Sequence, residues 1–317
     1  MSGPVVVVGD ILLDIDVDGR AERCCPDAPV PVVDIVSRSY RPGGAGLAAL
    51  LAAGDAGEVL LLGGIGADEG GARLLELLDG AVRVLPLPLR GGTPCKERVR
   101  ATGPWAGGTG RGGPEPVPIT RLDHGDGRVP GSPLTAEARA ALRRAGAVLV
   151  ADYGRGVAAH PEIRSVLTEL AGRVPIVWDP HPRGPAPIPG VTLATPNRAE
   201  AAARTGEAEP GGMVRELLRM WAARAVAVTL GPEGALLGDA DGVRAVPLAE
   251  PDRAAAGADT CGAGDRFAAA ATTALAGGAD PAAAVRAAVR AAAEFVGAGA
   301  AAAVGVTVDP VAGRVAG

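Results

Sequence analysis

Val5-Val6-Val7-Val8-Gly9-Asp10 decides the fold class. Four β-branched apolar residues in a row leave neither face of a strand polar. The run therefore predicts a strand buried on both sides, ending in a turn at Gly9-Asp10. The pattern returns downstream. Val59 to Leu62 runs into Gly63-Gly64-Ile65-Gly66 and a helix around Gly70 to Leu78. Ala147 to Ala151 leads to Asp152, Ile176 to Trp178 leads to Asp179, and Thr192 to Ala194 leads to Asn197 and a helix. Ala225 to Leu230 precedes the turn Gly231-Pro232-Glu233-Gly234, and Gly43-Gly44 opens an Ala/Leu helix through Ala53. Buried strands alternating with helices predict an α/β domain whose mostly parallel sheet is covered on both faces.

Two segments break that rhythm. Pro29 to Tyr40 and Lys96 to Asp123 lack helical periodicity and contain strand-like pieces. Pro29 to Val36 looks like an edge strand, because proline cannot donate to a ladder. Together the two segments, with bounds of about 20–41 and 92–124, predict a small sheet projecting from a single domain over 1–317. Gly103 to Pro118 is so dense in Gly and Pro that it reads as a mobile loop.

The 317 residues suffice for one large domain, or one domain with a small appendage. With 48% hydrophobic but 2% aromatic residues, the core must be built from Ala, Val and Leu. A net charge of −5 without a long basic block argues against a nucleic-acid or anionic-membrane partner. No positively charged segment precedes Val5, so no signal peptide is expected. Ala282 to Ala303 is interrupted by Arg286, Arg290 and Glu294 and makes a poor membrane span. Cys24, Cys25, Cys95 and Cys261 lack zinc-ligand spacing, and a chain this long needs no disulfide staples. Reduced thiols in the cytoplasm are the expectation.

The sharpest chemical signal is Asp259-Thr260-Cys261-Gly262-Ala263-Gly264-Asp265, followed by the apolar helical run Phe267 to Ala276. Glycines before a helix let backbone approach a ligand, and the free N–H groups of the first turn favour an anion. A carboxylate beside such a site would be repelled by phosphate unless it had a task there. Taking a proton from an attacking hydroxyl is one. By spacing alone an ordinary glycine turn with Asp265 as a cap fits equally well. Thr229, Gly231 and Gly234 form a strand-end turn suited to nucleotide phosphates. Asn197 and Glu200 share a face at a helix start and carry the hard oxygens that Mg²⁺ prefers, usually through its waters. A capping box is the alternative for that pair.

The order Gly43-Gly44, Asn197-x-x-Glu200, Thr229-x-Gly231-x-x-Gly234 and Asp259-Thr-x-Gly-Ala-Gly-Asp265 resembles the ribokinase (PfkB-type) carbohydrate kinase family over nearly the whole chain. The resemblance implies a Rossmann-type three-layer domain with a mostly parallel central sheet and a small β-sheet lid. It implies ATP bound near the C-terminal half, at Asn197, Glu200, Thr229, Gly231, Gly234, Asp259 and Thr260, with Mg²⁺ organised by Asn197 and Glu200. Asp265 would be the base and the backbone of Gly262, Ala263 and Gly264 the anion hole. Pairing through the lids into a homodimer is also implied.

Within the family the heptose 7-phosphate kinase branch is most similar. The likeness rests on Gly9-Asp10-Ile-Leu-Leu-Asp14, Cys25-Pro26-Asp27-Ala28-Pro29-Val30-Pro31-Val32-Val33, Arg41-Pro42-Gly43-Gly44-Ala45, Lys96-Glu97-Arg98, Arg121-Leu122-Asp123 and Asp152-Tyr153-Gly154-Arg155-Gly156. It implies phosphorylation of the anomeric hydroxyl of a sugar 7-phosphate. Asp10 and Asp14 would bind sugar hydroxyls beside Gly43, Gly44 and Asp152, and Lys96, Arg98 and Arg155 the substrate's phosphate. Surface roles for Lys96, Arg98 and Asp14 are the plain alternative. Leu47 stands where the family usually has a sugar-binding Asn, and Arg266 where a small Thr is usual, adding a charge beside the anion hole. Some relatives carry a fused nucleotidyltransferase; a kinase domain alone is expected here. A PfkB-type kinase for a hexose, pentose or nucleoside, or a non-catalytic sugar or nucleotide sensor, are the competing functions.

Overall fold

The computed structural model describes residues 3–106, 116–249 and 258–304, and the backbone of 307–310. A nine-stranded sheet runs β13 (Gly242–Val246), β12 (Ala235–Asp239), β11 (Val226–Thr229), β10 (Leu193–Ala194), β9 (Ile176–Asp179), β8 (Ala147–Ala151), β1 (Val5–Gly9), β4 (Val59–Ile65) and β5 (Arg83–Pro88). Every neighbouring pair from β11 to β5 is parallel; β12 and β13 close one edge as antiparallel strands.

Residue alternation along the strands sorts the core into two halves. Val5 and Val7 of β1, with Leu61, Leu149 and Val177, join one apolar cluster. It also takes in α1 (Ala45–Ala53), α2 (Glu69–Leu78), α7 (Ala263–Ala276) and α8 (Pro281–Gly297). Val6 and Val8, with Leu60, Val148, Val150 and Trp178, join the other. There they meet α3 (Ala136–Arg143), α4 (Pro161–Leu170), α5 (Arg198–Thr205) and α6 (Pro210–Trp221). A strand apolar at every position needs cover on both faces, and the three layers supply it. Alanines at the α7–α8 interface replace the missing aromatics: Ala268, Ala269 and Ala271 of α7 and Ala284 and Ala288 of α8 are fully buried. No helix among the described residues is long and apolar enough to cross a membrane.

The smaller sheet has the order β14 (Thr307–Pro310), β3 (Pro31–Gly44), β2 (Ile11–Cys24), β6 (Cys95–Thr102), β7 (Val117–His124). Three expectations change here. Gly9-Asp10 is no turn: the chain passes from β1 straight into β2, so one extended run feeds both sheets. Gly63 and Gly64 lie inside β4, because a Cβ at Gly63 would sit 2.6 Å from the Gly9 carbonyl. Within the Gly103 to Pro118 stretch, Trp105 N–H donates to the Ala21 carbonyl at 3.1 Å and Val117-Pro118 belong to β7. The remainder of the expected loop, 107–115, lies outside the described residues.

Candidate active site

The chemistry-bearing residues gather where the parallel strands end and α7 begins, the usual ligand position in open α/β sheets. Three strands deliver an aspartate at this end: β1 runs into Asp10, β8 runs into Asp152, and β9 ends on Asp179.

Asp10 is buried and faces the loop after β8. Its Oδ2 accepts the N–H groups of Tyr153 (3.0 Å) and Arg155 (2.8 Å), and its Oδ1 that of Val157 (3.1 Å). Burial pushes its carboxyl upward in pKa while the three amides pull it down. With those acceptor positions filled, Asp10 acts as a strut for residues 153–157. Asp152 is also buried; its Oδ1 accepts the Gly154 N–H at 2.8 Å while Oδ2 has no partner. Burial, with Asp10 nearby, raises it to about 6.

Tyr153 projects from that loop and donates its hydroxyl to Asp265 Oδ1 at 2.7 Å. Lys96 Nζ sits 5.1 Å over the Tyr153 ring, and His181 stacks on it at 6.2 Å. Asp265, in the first turn of α7, is 7% exposed. Burial raises its pKa to about 7; the Tyr153 hydroxyl and Lys96 oppose the rise, and Asp14 adds to it. Asp179 accepts the Thr195 hydroxyl at 2.8 Å and is pushed well above the usual carboxylate range, by burial first and by Asp265 and Glu200 after it.

The turn before α7 is tight. Asp259 Oδ1 accepts the Cys261 N–H at 2.9 Å, and the Thr260 carbonyl accepts the Ala263 N–H at 3.1 Å. The Arg266 N–H goes to the Gly262 carbonyl at 2.9 Å. Of the first helical amides, those of Gly264 and Asp265 remain as donors for an anion, while that of Ala263 serves the turn. Gly262 holds φ +82°, and a Cβ there would lie 2.7 Å from Leu47 Cδ2. Leu47 is thus buried under the turn as its packing partner. Arg266 does not charge the anion turn: its guanidinium pairs with Asp55 and reaches the Leu51 carbonyl at the end of α1.

Asn197 and Glu200 form a reciprocal capping box on α5, each side chain accepting the other's N–H at 2.9 Å. Thr229 bridges to Asn197, so the starts of α5 and of the Gly231–Glu233 turn lie together. A Cβ at Gly231 would meet nothing within 4 Å, leaving backbone open to a ligand, whereas Gly234 is crowded by the Val246 carbonyl.

On the smaller sheet, Asp14 is buried with Oδ1 unpartnered. A Cβ at Gly43 would stand 2.9 Å from its carboxylate, and Gly44 caps α1 beside it. Arg41 pairs with Asp16 in the buried interior and lies 3.9 Å from Asp14. Arg98 is 3.6 Å from Asp14 and donates to Cys261 Sγ at 3.2 Å, so it ties β6 to the anion turn. Arg155 donates its side chain to the Gly125 carbonyl at 2.9 Å. The sequence does not single out Tyr153, Asp179, Asp16 and Arg41 as site residues. Only the repeated aspartate at strand ends marks Asp179, and nothing in spacing marks the others.

A family model described as pfkB family carbohydrate kinase matches residues 162–306, the part that carries α5, the Thr229 turn and α7. This part of the chain belongs to that family. The chain is 50% identical over 309 residues to the bifunctional protein HldE of Streptomyces coelicolor, covering 95% of this chain and 62% of that protein. With the bifunctional protein HldE of Nitrosococcus oceani it shares 35% over 246 residues, 74% of this chain and 49% of that one. The chain thus spans less than two thirds of the length of these relatives. Among solved structures, a ribokinase from Arabidopsis thaliana complexed with ribose and ATP matches with a TM-score of 0.67 at 21% identity, over 93% of each chain. The tetrameric inhibited form of phosphofructokinase-2 from Escherichia coli matches with 0.65 at 17%, over 93% of this chain and 94% of that one. These last two likenesses establish the ribokinase-like fold.

Proposed function

We propose that this chain is an ATP-dependent sugar kinase acting on the anomeric hydroxyl of a heptose 7-phosphate to give the 1,7-bisphosphate. The observation that carries the reading is Asp265: a buried carboxylate with a pKa raised to about 7, in the first turn of a helix whose Gly264 and Asp265 amides are available to an anion. As the acceptor oxygen bonds to the γ-phosphorus, the bond from phosphorus to the ADP oxygen breaks, and Asp265 takes the hydroxyl proton. ATP as donor is supported by the fold shared with a ribokinase complexed with ribose and ATP. The heptose phosphate rests on the motif resemblance and on Lys96, Arg98 and Arg155 standing on the lid side of Asp265. In this reading Asp14 and Asp152, each with an unpartnered buried oxygen, hydrogen-bond the sugar.

The donor set fits Mg²⁺. Among the described residues no three His, Cys, Asp or Glu groups converge as direct ligands, so the ion would be held through its waters. The capping box leaves Glu200 one carboxylate oxygen, and burial raises the pKa of Glu200, so a cation there offsets an otherwise unfavourable charge. Mg²⁺ supplies neutralisation of phosphate charge; Asn197 and Glu200 orient its shell. Exposed Val30, Val36 and Leu122 on the smaller sheet and its turn support pairing of two lids. The proposed compartment is the cytoplasm, where thiols such as Cys261 stay reduced.

ADP release measured against heptose 7-phosphates, other sugars and nucleosides tests the reading. The expected result is turnover with a heptose 7-phosphate, reduced by about 10²- to 10⁴-fold in Asp265→Asn. The rate should rise with pH through about 7, because the base must be ionised and its pKa lies there. Unchanged turnover in Asp265→Asn would remove the base assignment. Turnover with a hexose, pentose or nucleoside instead would reassign the acceptor, and none with any acceptor would favour a sensor.

A further inference from the structure

We propose that Tyr153 is a positioning residue for the phosphoryl-transfer base: its phenol fixes the orientation of Asp265 and keeps the carboxylate ready to accept a proton. The proposal rests on Asp265 being that base. Four contacts, from four different parts of the chain, leave the phenol little freedom. Its backbone N–H is held by Asp10 Oδ2 at 3.0 Å. Lys96 of β6 lies over the ring, 5.1 Å from its centroid, and His181, beyond β9, stacks at 6.2 Å with 30° between planes. The hydroxyl then reaches Asp265 Oδ1 at 2.7 Å.

A two-torsion side chain pinned at backbone and ring delivers its hydroxyl to one place. The other Asp265 oxygen stays available to an acceptor. A phenol donating to a carboxylate stabilises the ionised form, and buried surroundings strengthen that bond. The charged groups facing this pair are Asp14 of β2, Lys96 of β6 and Asp179 of β9. Asp14 opposes ionisation of Asp265 and Lys96 favours it, while Asp265 in turn raises Asp179. With burial first and Asp14 after it raising Asp265, the Tyr153 hydroxyl and Lys96 are what hold the base within reach of neutral pH. Lys96 touches both the ring and the proposed phosphate site, so charge on the acceptor is felt at the same phenol.

The test is the pH profile of kcat/KM for the acceptor, taken as the ratio of Tyr153→Phe to wild type so that ionisation of the substrate cancels. The free-enzyme base appears in that profile. Loss of the donated bond should move the acid limb up by about one pH unit. Activity at pH 6.5 should fall roughly 5- to 10-fold, and the ratio should return to within about 2-fold by pH 9. KM for ATP should stay unchanged. Because the ring is kept, Lys96 and His181 retain their partner; if the variant nonetheless fails to fold, 3-fluorotyrosine at 153 replaces it. That more acidic phenol donates more strongly, so the limb should move down instead. A limb unmoved by either change, or a loss uniform across pH, overturns the proposal. Asp265→Asn separates the two claims: if it is inactive while the Tyr153 limb stays put, the base stands and the positioning role falls.

Discussion

Replacing Asp10 by Asn or Ala separates a strut from a sugar ligand. Asp10 Oδ2 takes two amides and Oδ1 takes the third, that of Val157 at 3.1 Å. Asn keeps one carbonyl oxygen. If that oxygen serves Tyr153 and Arg155, its NH₂ faces the Val157 N–H, and a buried donor is left unmatched. One lost charge-assisted bond with an orphaned donor costs about 1–3 kcal/mol. Ala opens all three amides, and with water relieving part of the loss the cost is about 3–6 kcal/mol. At about 2 °C per kcal/mol for a large domain, Asp10→Asn should lower Tm by roughly 2–6 °C, and Ala by more. The assay is thermal unfolding by circular dichroism at pH 7.5, with kcat and acceptor KM measured beside it. Since Tyr153 rides on the strutted loop, kcat should fall more than acceptor KM rises. An unchanged Tm with acceptor KM raised about tenfold or more would refute the reasoning and return Asp10 to the sugar.

Three other substitutions probe the neighbouring elements. Arg41→Met should destabilise by about 3–5 kcal/mol in urea unfolding, because the buried Asp16 carboxylate loses its hydrogen-bonded partner and keeps only Arg98 at 3.9 Å; adding Asp16→Leu should recover most of that loss. Gly262→Ala should cost about 1–3 kcal/mol and lower kcat, since φ +82° strains any side chain and Leu47 crowds the new Cβ. Adding Leu47→Ala should restore the room and leave the strain, which the two melts would tell apart. Arg266→Ala should change stability by only about 0.5–1 kcal/mol and KM for ATP by less than about 2-fold, because its charge is spent on Asp55. A large rise in KM for ATP would place that guanidinium at the phosphates after all.

What was legible locally follows from short-range chemistry. The valine run of β1 shows a strand buried on both faces, because four consecutive β-branched residues suit a helix poorly and leave neither strand face polar. Gly262-Ala263-Gly264-Asp265 shows a glycine turn opening a helix, because glycine and an N-terminal turn are local facts. The spacing of Asn197 and Glu200 allows a capping box beside the Mg²⁺ reading, and the box is present and reciprocal. These features depend on residues a few positions apart, and one sequence carries them whole.

Other features depend on where distant segments meet. Asp10 as a sugar ligand and Asp10 as a strut look identical in sequence; only the loop 143 to 147 residues away, whose amides fill its oxygens, distinguishes them. Leu47 and Arg266 sit beside the key motifs in the chain, yet one is packing beneath Gly262 and the other is paired with Asp55. Tyr153 lies 112 positions from Asp265 and is joined to it by a single hydrogen bond. The sequence by itself determined the sheet, the helix start and the base candidate, since these come from periodicity and backbone freedom. Which carboxylates are held, which keep an unpartnered oxygen and which phenol meets Asp265 was decided by the tertiary structure, because hydrogen-bond partners and burial are set by what the fold brings together.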